Sequence, residues 1–436
     1  MRFPKTLLIP HLPKIVQFLS LFYFSRSSKK NKISIINTYE QGGGAAKIAK
    51  DLLSNSRFSK EIGFFVNKKS TNNQQVIELE QSSHSRFQLF LEELEKVGGW
   101  LDISKISPLK LLRNTHYRSS KIVHLHNLHG YYFSYSILPK VVRHKKTIWT
   151  LHDEQLLTGH CACTLNCEQW KKGCGNCPNL NTYPAVKVDN TQKLLEVKAR
   201  ILKKIKPTII CPSEWLAERF CKAFPFITDV KVIPNGINTD IFAPQDKKKI
   251  RKELNLPVDA FILLFAAELS TSNPFKGGDL INSLMNDGLG ENTYLITIGG
   301  ETTKSSPFHI PFGYIAEESK MADLYAAADV MIYPTKADNL PLVILEAMSS
   351  GLPVISSNLG GISEIIKDQE NSFLIDSYYD KIAFQKCITN FRESSDEFKA
   401  KIARNARATV ENKFSLHKMI HAYDKLYESF FDESRI

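Results

Sequence analysis

Two carboxylates, Asp338 and Glu346, stand with seven residues between them in the stretch VMIYPTKADNLPLVILEAMSSGLPVISSNLGGISEII, which opens at Val330 and closes at Ile366. Glu346 can accept two hydroxyl hydrogen bonds from a ribose. The glycine pair Gly360-Gly361 leaves room for a phosphate to approach the backbone. The chemistry these residues suit is the holding of a nucleoside diphosphate. To present them, residues 330–334 form an apolar, β-branched strand and Asp338-Asn339 a polar turn. A helix then begins at Pro341 and stops at Gly351. A second buried strand follows over 352–356, and the glycine pair opens another short helix. Such a β-α-β-α unit sets two helix N-termini, each with free N–H groups, at the carboxyl edge of a parallel sheet. An ordinary α/β layer carrying a surface glutamate produces the same pattern.

Other residues with chemical potential lie at the ends of further strands. Lys276, in ELSTSNPFKGG after the strand 261–266, is placed to neutralise charge developing on a leaving group. In HLHNLH, after the strand 121–125, His124 and His126 share one face and His126 lies at the carboxyl end. A hydrogen-bonded structural histidine is the alternative for His126 and the favoured reading for His124. The strand 146–151 delivers His152, Asp153 and Glu154 to the same edge, and converging polar strand ends suggest a cleft. The first strand, 33–38, runs into Gly42-Gly43-Gly44 and a helix. This is half of a Rossmann-like unit, but its spacing is not the dinucleotide fingerprint, so it gives no support to NAD binding.

Five of the eight cysteines lie within 17 residues, in HCACTLNCEQWKKGCGNCP. A C-x-x-C knuckle opened by glycine, with two upstream thiols, matches a tetrahedral structural zinc site. Reduced thiols without metal, or a redox role, remain open. No secretion signal is apparent, which disfavours a disulfide framework.

The frame DNLPLVILEAMSSGLPVISSNLGGISEII, with Asp338 and Glu346 in it, resembles the signature of family 4 retaining glycosyltransferases. The best match is to the branch that builds bacterial exopolysaccharide, colanic acid or lipopolysaccharide. Asp338 departs from the commoner glutamate. The resemblance implies an α/β GT-B fold: two Rossmann-like domains facing a central cleft, with a cysteine-rich insert in the first. It implies that Asp338 and His126 contact the transferred sugar, Glu346 the ribose and Lys276 the donor diphosphate. Gly43 and Gly44 would approach the donor phosphate, and Tyr314 would neighbour the base. Asn339, Leu340, Pro341, Leu342, Gly360 and Gly361 would complete the donor pocket, and His152 and Asp153 would face the acceptor. The branch often carries a similar cysteine loop without an equivalent of Cys163, which leaves Cys161, Cys167, Cys174 and Cys177 as the zinc ligands. An upstream arginine usual in the family is absent between Ala266 and Lys276.

At 436 residues the chain suits two domains of roughly 200 residues each. The expected division is a basic and apolar extension over 1–30 and a first domain over 31–245 with its insert at 160–178. A nucleotide-sugar domain follows over 246–414, entered through a charged, lysine-rich linker over 244–256, then a helix over 415–436 returning to the first domain. Residues 1–32 hold seven lysines and arginines and no acid, more than half of the net charge of +12. Such a tail fits anionic lipid or phosphate-bearing substrates better than a nucleic-acid groove. The apolar run Ile15 to Phe24, followed by Arg26, Lys29, Lys30 and Lys32, is too short to span a bilayer and suits an interfacial anchor. A disordered leader or an extra packing helix is the alternative.

The expected partners are a UDP- or GDP-linked sugar and a lipid-linked saccharide acceptor, with peripheral contact to anionic membrane and no nucleic acid. The expected location is the cytoplasm, at the inner face of the cytoplasmic membrane. No D-x-D motif occurs in a suitable place, so no catalytic metal is expected. The rivals are another GT-B enzyme, an epimerase or phosphorylase, and a catalytically degenerate, zinc-stabilised binding protein.

Overall fold

The computed structural model describes residues 11–20, 32–79, 86–105, 107–300 and 306–432. The chain divides into two compact units, Met1–Ile233 with Ile420–Ile436, and Pro234–Met419.

The first unit is built on seven parallel strands: β1 Lys32–Tyr39, β2 Ile62–Lys68, β3 Val76–Glu78, β4 Ser120–Leu125, β5 Lys146–Thr150, β6 Thr208–Cys211 and β7 Val230–Val232. Their order is β3-β2-β1-β4-β5-β6-β7. Ile35 lies between Phe64 of β2 and His124 of β4 in the register. A parallel sheet is covered on both faces, so its strands read as unbroken apolar runs. Ile33, Ile35 and Ile36 of β1 and Ile122 and Val123 of β4 are accordingly buried. The order reverses between β1 and β4, and crevices in open α/β sheets form beyond the carboxyl ends of the strands at such a reversal.

The helix Leu12–Ser20 packs on this unit, with Leu12 and Val16 in the hydrophobic core. The described part of the apolar tail is therefore a packing helix of the fold, since its two inward residues already have partners. Arg26, Lys29 and Lys30 lie outside the described residues. Among the described residues no helix is long and apolar enough to cross a membrane.

The second unit has six parallel strands: β8 Phe261–Ala266, β9 Thr293–Ile298, β10 His309–Phe312, β11 Val330–Tyr333, β12 Val354–Ser357 and β13 Phe373–Ile375. Their order is β10-β9-β8-β11-β12-β13, so this sheet reverses between β8 and β11. The lysine-rich stretch that reads as a linker carries the helix Lys247–Glu253 instead. Arg251 anchors it: the buried guanidinium meets Asp329 at 2.7 Å and donates to the Val258 and Ala260 carbonyls.

The helix Leu416–Asp432 spans the division between the units at Met419/Ile420. Within the first unit, Asp424 accepts from the Ser56 hydroxyl at 2.5 Å and the Arg57 N–H at 3.1 Å. Tyr427 and Tyr423 bond His124 and Thr150.

Candidate active site

In the second unit, the loops leaving β8 and β11, the two strands at the reversal, meet. Lys276 Nζ lies 2.5 Å from Asp338 Oδ2, and Tyr333, the last residue of β11, donates its hydroxyl to the same oxygen at 2.5 Å. The ammonium also sits 5.7 Å from the Tyr333 ring centroid. The cation expected at a diphosphate and the carboxylate expected at a sugar thus form one half-buried ion pair.

Gly360 locks this loop. It has φ +61°, and a Cβ placed on it would stand 1.9 Å from the Asp338 carbonyl oxygen. Only glycine fits so close to another backbone. The Gly361 N–H then bonds the Asn339 carbonyl at 2.8 Å. Asp338, Asn339, Gly360 and Gly361 are therefore one constellation. The helix expected after the glycines is a single turn, Ile362–Ile365.

Pro341 is the N-cap of the helix Leu342–Ser349, which thus begins one residue later than the sequence suggests. Leu340 and Pro341 are buried and Leu342 is half-buried. The Leu340 carbonyl accepts from Asn235 at 3.0 Å. Glu346, on the same helix, is buried and accepts from the Tyr325 hydroxyl at 3.1 Å. Tyr314 stands exposed after β10.

In the first unit, the reversal lies between β1 and β4. Gly43 and Gly44 are exposed at the start of the helix Gly43–Asn55, and Gly42 and Gly43 hold positive φ with open space where a Cβ would point. His126 is buried beyond the end of β4. Its Nδ1 lies 2.8 Å from His152 Nε2 and the two rings stack at 5.1 Å. His126 Nε2 has no hydrogen-bond partner among the described residues. His124, by contrast, uses both nitrogens, on Tyr427 and Thr150 at 2.7 Å. Burial drives all three imidazoles down, His124 to about 3, His152 to about 4 and His126 well below the ordinary value, with neighbouring imidazoles adding to the effect on His124 and His126. They are neutral at physiological pH, so His126 can meet a sugar hydroxyl as an uncharged acceptor or donor.

Asp153 is bound by a residue the sequence reading missed. His129 Nε2 meets Asp153 Oδ2 at 2.8 Å. His129 is held above the usual imidazole range, because Asp153 and Asp102 outweigh its burial. The third histidine of HLHNLH was the signal that could have found it.

The four cysteines Cys161, Cys167, Cys174 and Cys177 line one small cavity with His160, whose Nε2 lies 3.4 Å from Cys177 Sγ. All are free thiols, and among the described residues no three His, Cys, Asp or Glu side chains converge as a metal-holding group.

With this geometry in place, two family models match the chain: "Glycosyltransferase Family 4" over residues 99–241 and "Glycosyl transferases group 1" over residues 246–409. The chain belongs to the family 4 glycosyltransferases. Each model falls largely on one of the two parallel-sheet units. This family 4 chain is 30% identical over 261 residues to the putative colanic acid biosynthesis glycosyl transferase WcaC of Escherichia coli K12, covering 56% of this chain and 62% of that protein. It is 26% identical to the UDP-Gal:alpha-D-GlcNAc-diphosphoundecaprenol alpha-1,3-galactosyltransferase of Escherichia coli, covering 45% of this chain and 54% of the other. The matched stretches thus span less than two thirds of these relatives. Among solved structures, Anabaena Alr3699/HepE in complex with UDP-glucose superposes with a TM-score of 0.66 at 16% identity, covering 92% of this chain and 99% of that one. At that identity the likeness concerns the fold, which is GT-B.

Proposed function

We propose that this family 4 chain transfers a sugar, with retention, from a nucleotide-diphosphate sugar to a saccharide acceptor in surface-polysaccharide synthesis. The observation that carries the reading is the Lys276–Asp338 pair at the reversal of the second sheet, backed by Gly360, with Glu346 on the helix that follows Asp338. UDP is the leading candidate for the nucleotide, because a structural neighbour holds UDP-glucose; GDP stays open. A lipid-linked acceptor is the leading candidate because one relative's name specifies a diphosphoundecaprenol substrate. Such an acceptor would place the chain at the cytoplasmic face of the membrane, in peripheral contact with it.

In the reaction, the acceptor hydroxyl oxygen forms a bond to the anomeric carbon as the bond from that carbon to the β-phosphate oxygen breaks. The hydroxyl proton passes to a donor phosphate oxygen. Lys276 stabilises the departing diphosphate, Asp338 holds the sugar, and Glu346 holds the ribose. None of these steps calls for a divalent ion.

The test is a thermal-shift panel with UDP, GDP, ADP and CMP. A nucleotide at 100 times its Kd stabilises by about 2.7 kcal/mol, a rise of roughly 5–10 °C for a domain of this size. A response to one diphosphate is expected. Silence to all four would favour the degenerate binding protein, to which the missing arginine before Lys276 already points.

Structural zinc at Cys161, Cys167, Cys174 and Cys177 belongs to the same reading. It is supported by the common cavity, although the sulfurs would have to shift to close on an ion. Metal analysis of the purified chain is expected to return one zinc per molecule, lost in Cys174→Ser. A metal-free, fully stable protein would leave the cysteines as packed thiols.

A further inference from the structure

Between the helix Leu12–Ser20 and the helix Thr191–Ile205 the first unit leaves a cavity of about 320 Å³, within the range of small-molecule pockets. Both helices pack on the short turn Tyr135–Ile137, and the cavity opens between them. Its apolar wall comes from Pro13, Trp100, Pro139, Val197 and Ile201. Trp100, Val197 and Ile201 are buried, so this wall is continuous with the core. Val197 and Ile201 stand four residues apart, on one stripe of their helix. No lining residue is shared with the crevice of His126, His152 and Asp153.

The mouth of this cavity is cationic. Lys14, Arg200 and Lys204 line it and are exposed. Arg200 and Lys204 also stand four residues apart, beside the apolar stripe. Like charges at that spacing repel, so the helix bears a small cost to present them. Among the described residues none of the three cations forms an ion pair with an acidic side chain. Arg200 Nε instead donates to the Glu196 carbonyl of its own helix, at 3.4 Å. Residues 1–10 carry Arg2 and Lys5 and no acid, so charge argues against that segment as the occupant.

An apolar wall behind a cationic mouth suits a ligand that is anionic at one end and hydrocarbon at the other. A free phosphate would leave the wall unused, and an uncharged lipid would leave the cations unpaired. We propose that this cavity binds a phosphate-bearing membrane lipid. The headgroup phosphate would meet Lys14, Arg200 and Lys204, and the first part of a chain would lie against Trp100 and Ile201. A bilayer is favoured as the source by the helix Arg86–Val97, which packs on Leu12–Ser20 and leaves Phe87 45% and Leu89 47% exposed. Exposed apolar side chains beside cations suit the boundary between headgroups and chains. The site stands on the cavity and its charges; only its service to a lipid-linked acceptor rests on the glycosyl-transfer reading.

The same helix reaches the loop of Asp153. Lys198, next to Val197, is buried and donates to the Gln155 and Thr158 carbonyls at 2.5 and 2.9 Å. Gln155 Oε1 in turn accepts from the Tyr135 hydroxyl at 2.7 Å, from the turn on which the cavity rests. A lipid held at Arg200 and Lys204 would therefore anchor the first unit through an element that also carries this loop.

The test is calorimetry on the full chain with dihexanoyl phosphatidylglycerol below its micelle concentration, against glycerol 3-phosphate and dihexanoyl phosphatidylcholine. One molecule of the anionic lipid is expected to bind. Glycerol 3-phosphate should bind at least about tenfold more weakly, the worth of roughly two buried methylenes, and the zwitterionic lipid should also be weaker. Arg200→Ala and Lys204→Ala should each weaken the anionic lipid by about fivefold. Val197→Phe fills the cavity without touching the charge and should reduce the lipid to the level of glycerol 3-phosphate. Lys204 is exposed, so its variant keeps the test decisive where Val197→Phe does not fold. Vesicles of phosphatidylcholine with added phosphatidylglycerol should carry the wild type in flotation, and the Arg200→Ala/Lys204→Ala chain less. Equal binding of lipid and glycerol 3-phosphate, wild-type affinity in Lys204→Ala or in folded Val197→Phe, or no flotation overturns the site. Silence of the UDP panel with lipid binding intact fails the donor reading alone, so the two failures are separable.

Discussion

Replacing Lys276 by alanine is expected to lower kcat for glycosyl transfer by about 10²–10³-fold, the usual consequence of removing one group aimed at charge that develops in the transition state. The ammonium is half-buried, bound to Asp338 and set over the Tyr333 ring, so its position is fixed before the reaction begins. Little reorganisation then remains when the diphosphate departs. Alanine removes the charge and also frees Asp338, which keeps only the Tyr333 hydroxyl. Lys276→Arg separates the two effects: it retains the charge but not the single-point geometry, and it should recover part of kcat. The measurement is turnover of the nucleotide sugar, with product detected by mass spectrometry. A turnover close to wild type in the alanine variant would remove Lys276 from the leaving-group role.

The second large effect is expected at Glu346. Glu346→Ala should weaken binding of the donor nucleotide by about 1.5–3 kcal/mol, or roughly 10- to 150-fold in Kd by calorimetry. Because the residue is buried and accepts from Tyr325, alanine also leaves that hydroxyl unpartnered. Glu346→Gln is the cleaner probe, since it keeps an acceptor for Tyr325 and loses only the charge. If Glu346 holds the ribose in ground state and transition state alike, KM rises while kcat at saturating donor changes little. An unchanged nucleotide Kd in both variants would sink the assignment.

The second sheet was legible in sequence wherever its strands are central. The runs at β8 and β11 are apolar throughout and those at β9 and β12 largely so, because both of their faces are covered. Its edge strand β13, at three residues, carries too little pattern to be read. The site was legible in part. Asp338, Glu346, Lys276 and the glycine pair stand at strand–helix junctions whose spacing announces them. Tyr325 and Tyr333, which hold the two acids, were not, since a buried tyrosine within an apolar run looks like core. Asp102 gave no signal, because its importance comes from contacts with residues about thirty positions away. The lysines over 247–249 suggested a linker because the buried Arg251 cannot be told from its exposed neighbours by composition.

The helix Leu416–Asp432 bears on how the molecule is made. The first unit takes its sheet from residues made early, but the side chains that engage Ser56, His124 and Thr150 arrive only after the whole of the second unit. At ribosomal rates of about 5–20 residues per second, the interval between Ile233 and Ile420 lasts roughly 10 to 40 s. During that time the first unit waits with the bed for Tyr423 and Tyr427 unfilled. Its closure is therefore post-translational in timing even though most of its chain is first off the ribosome. A fragment cut at Ile233 would remain in that waiting state.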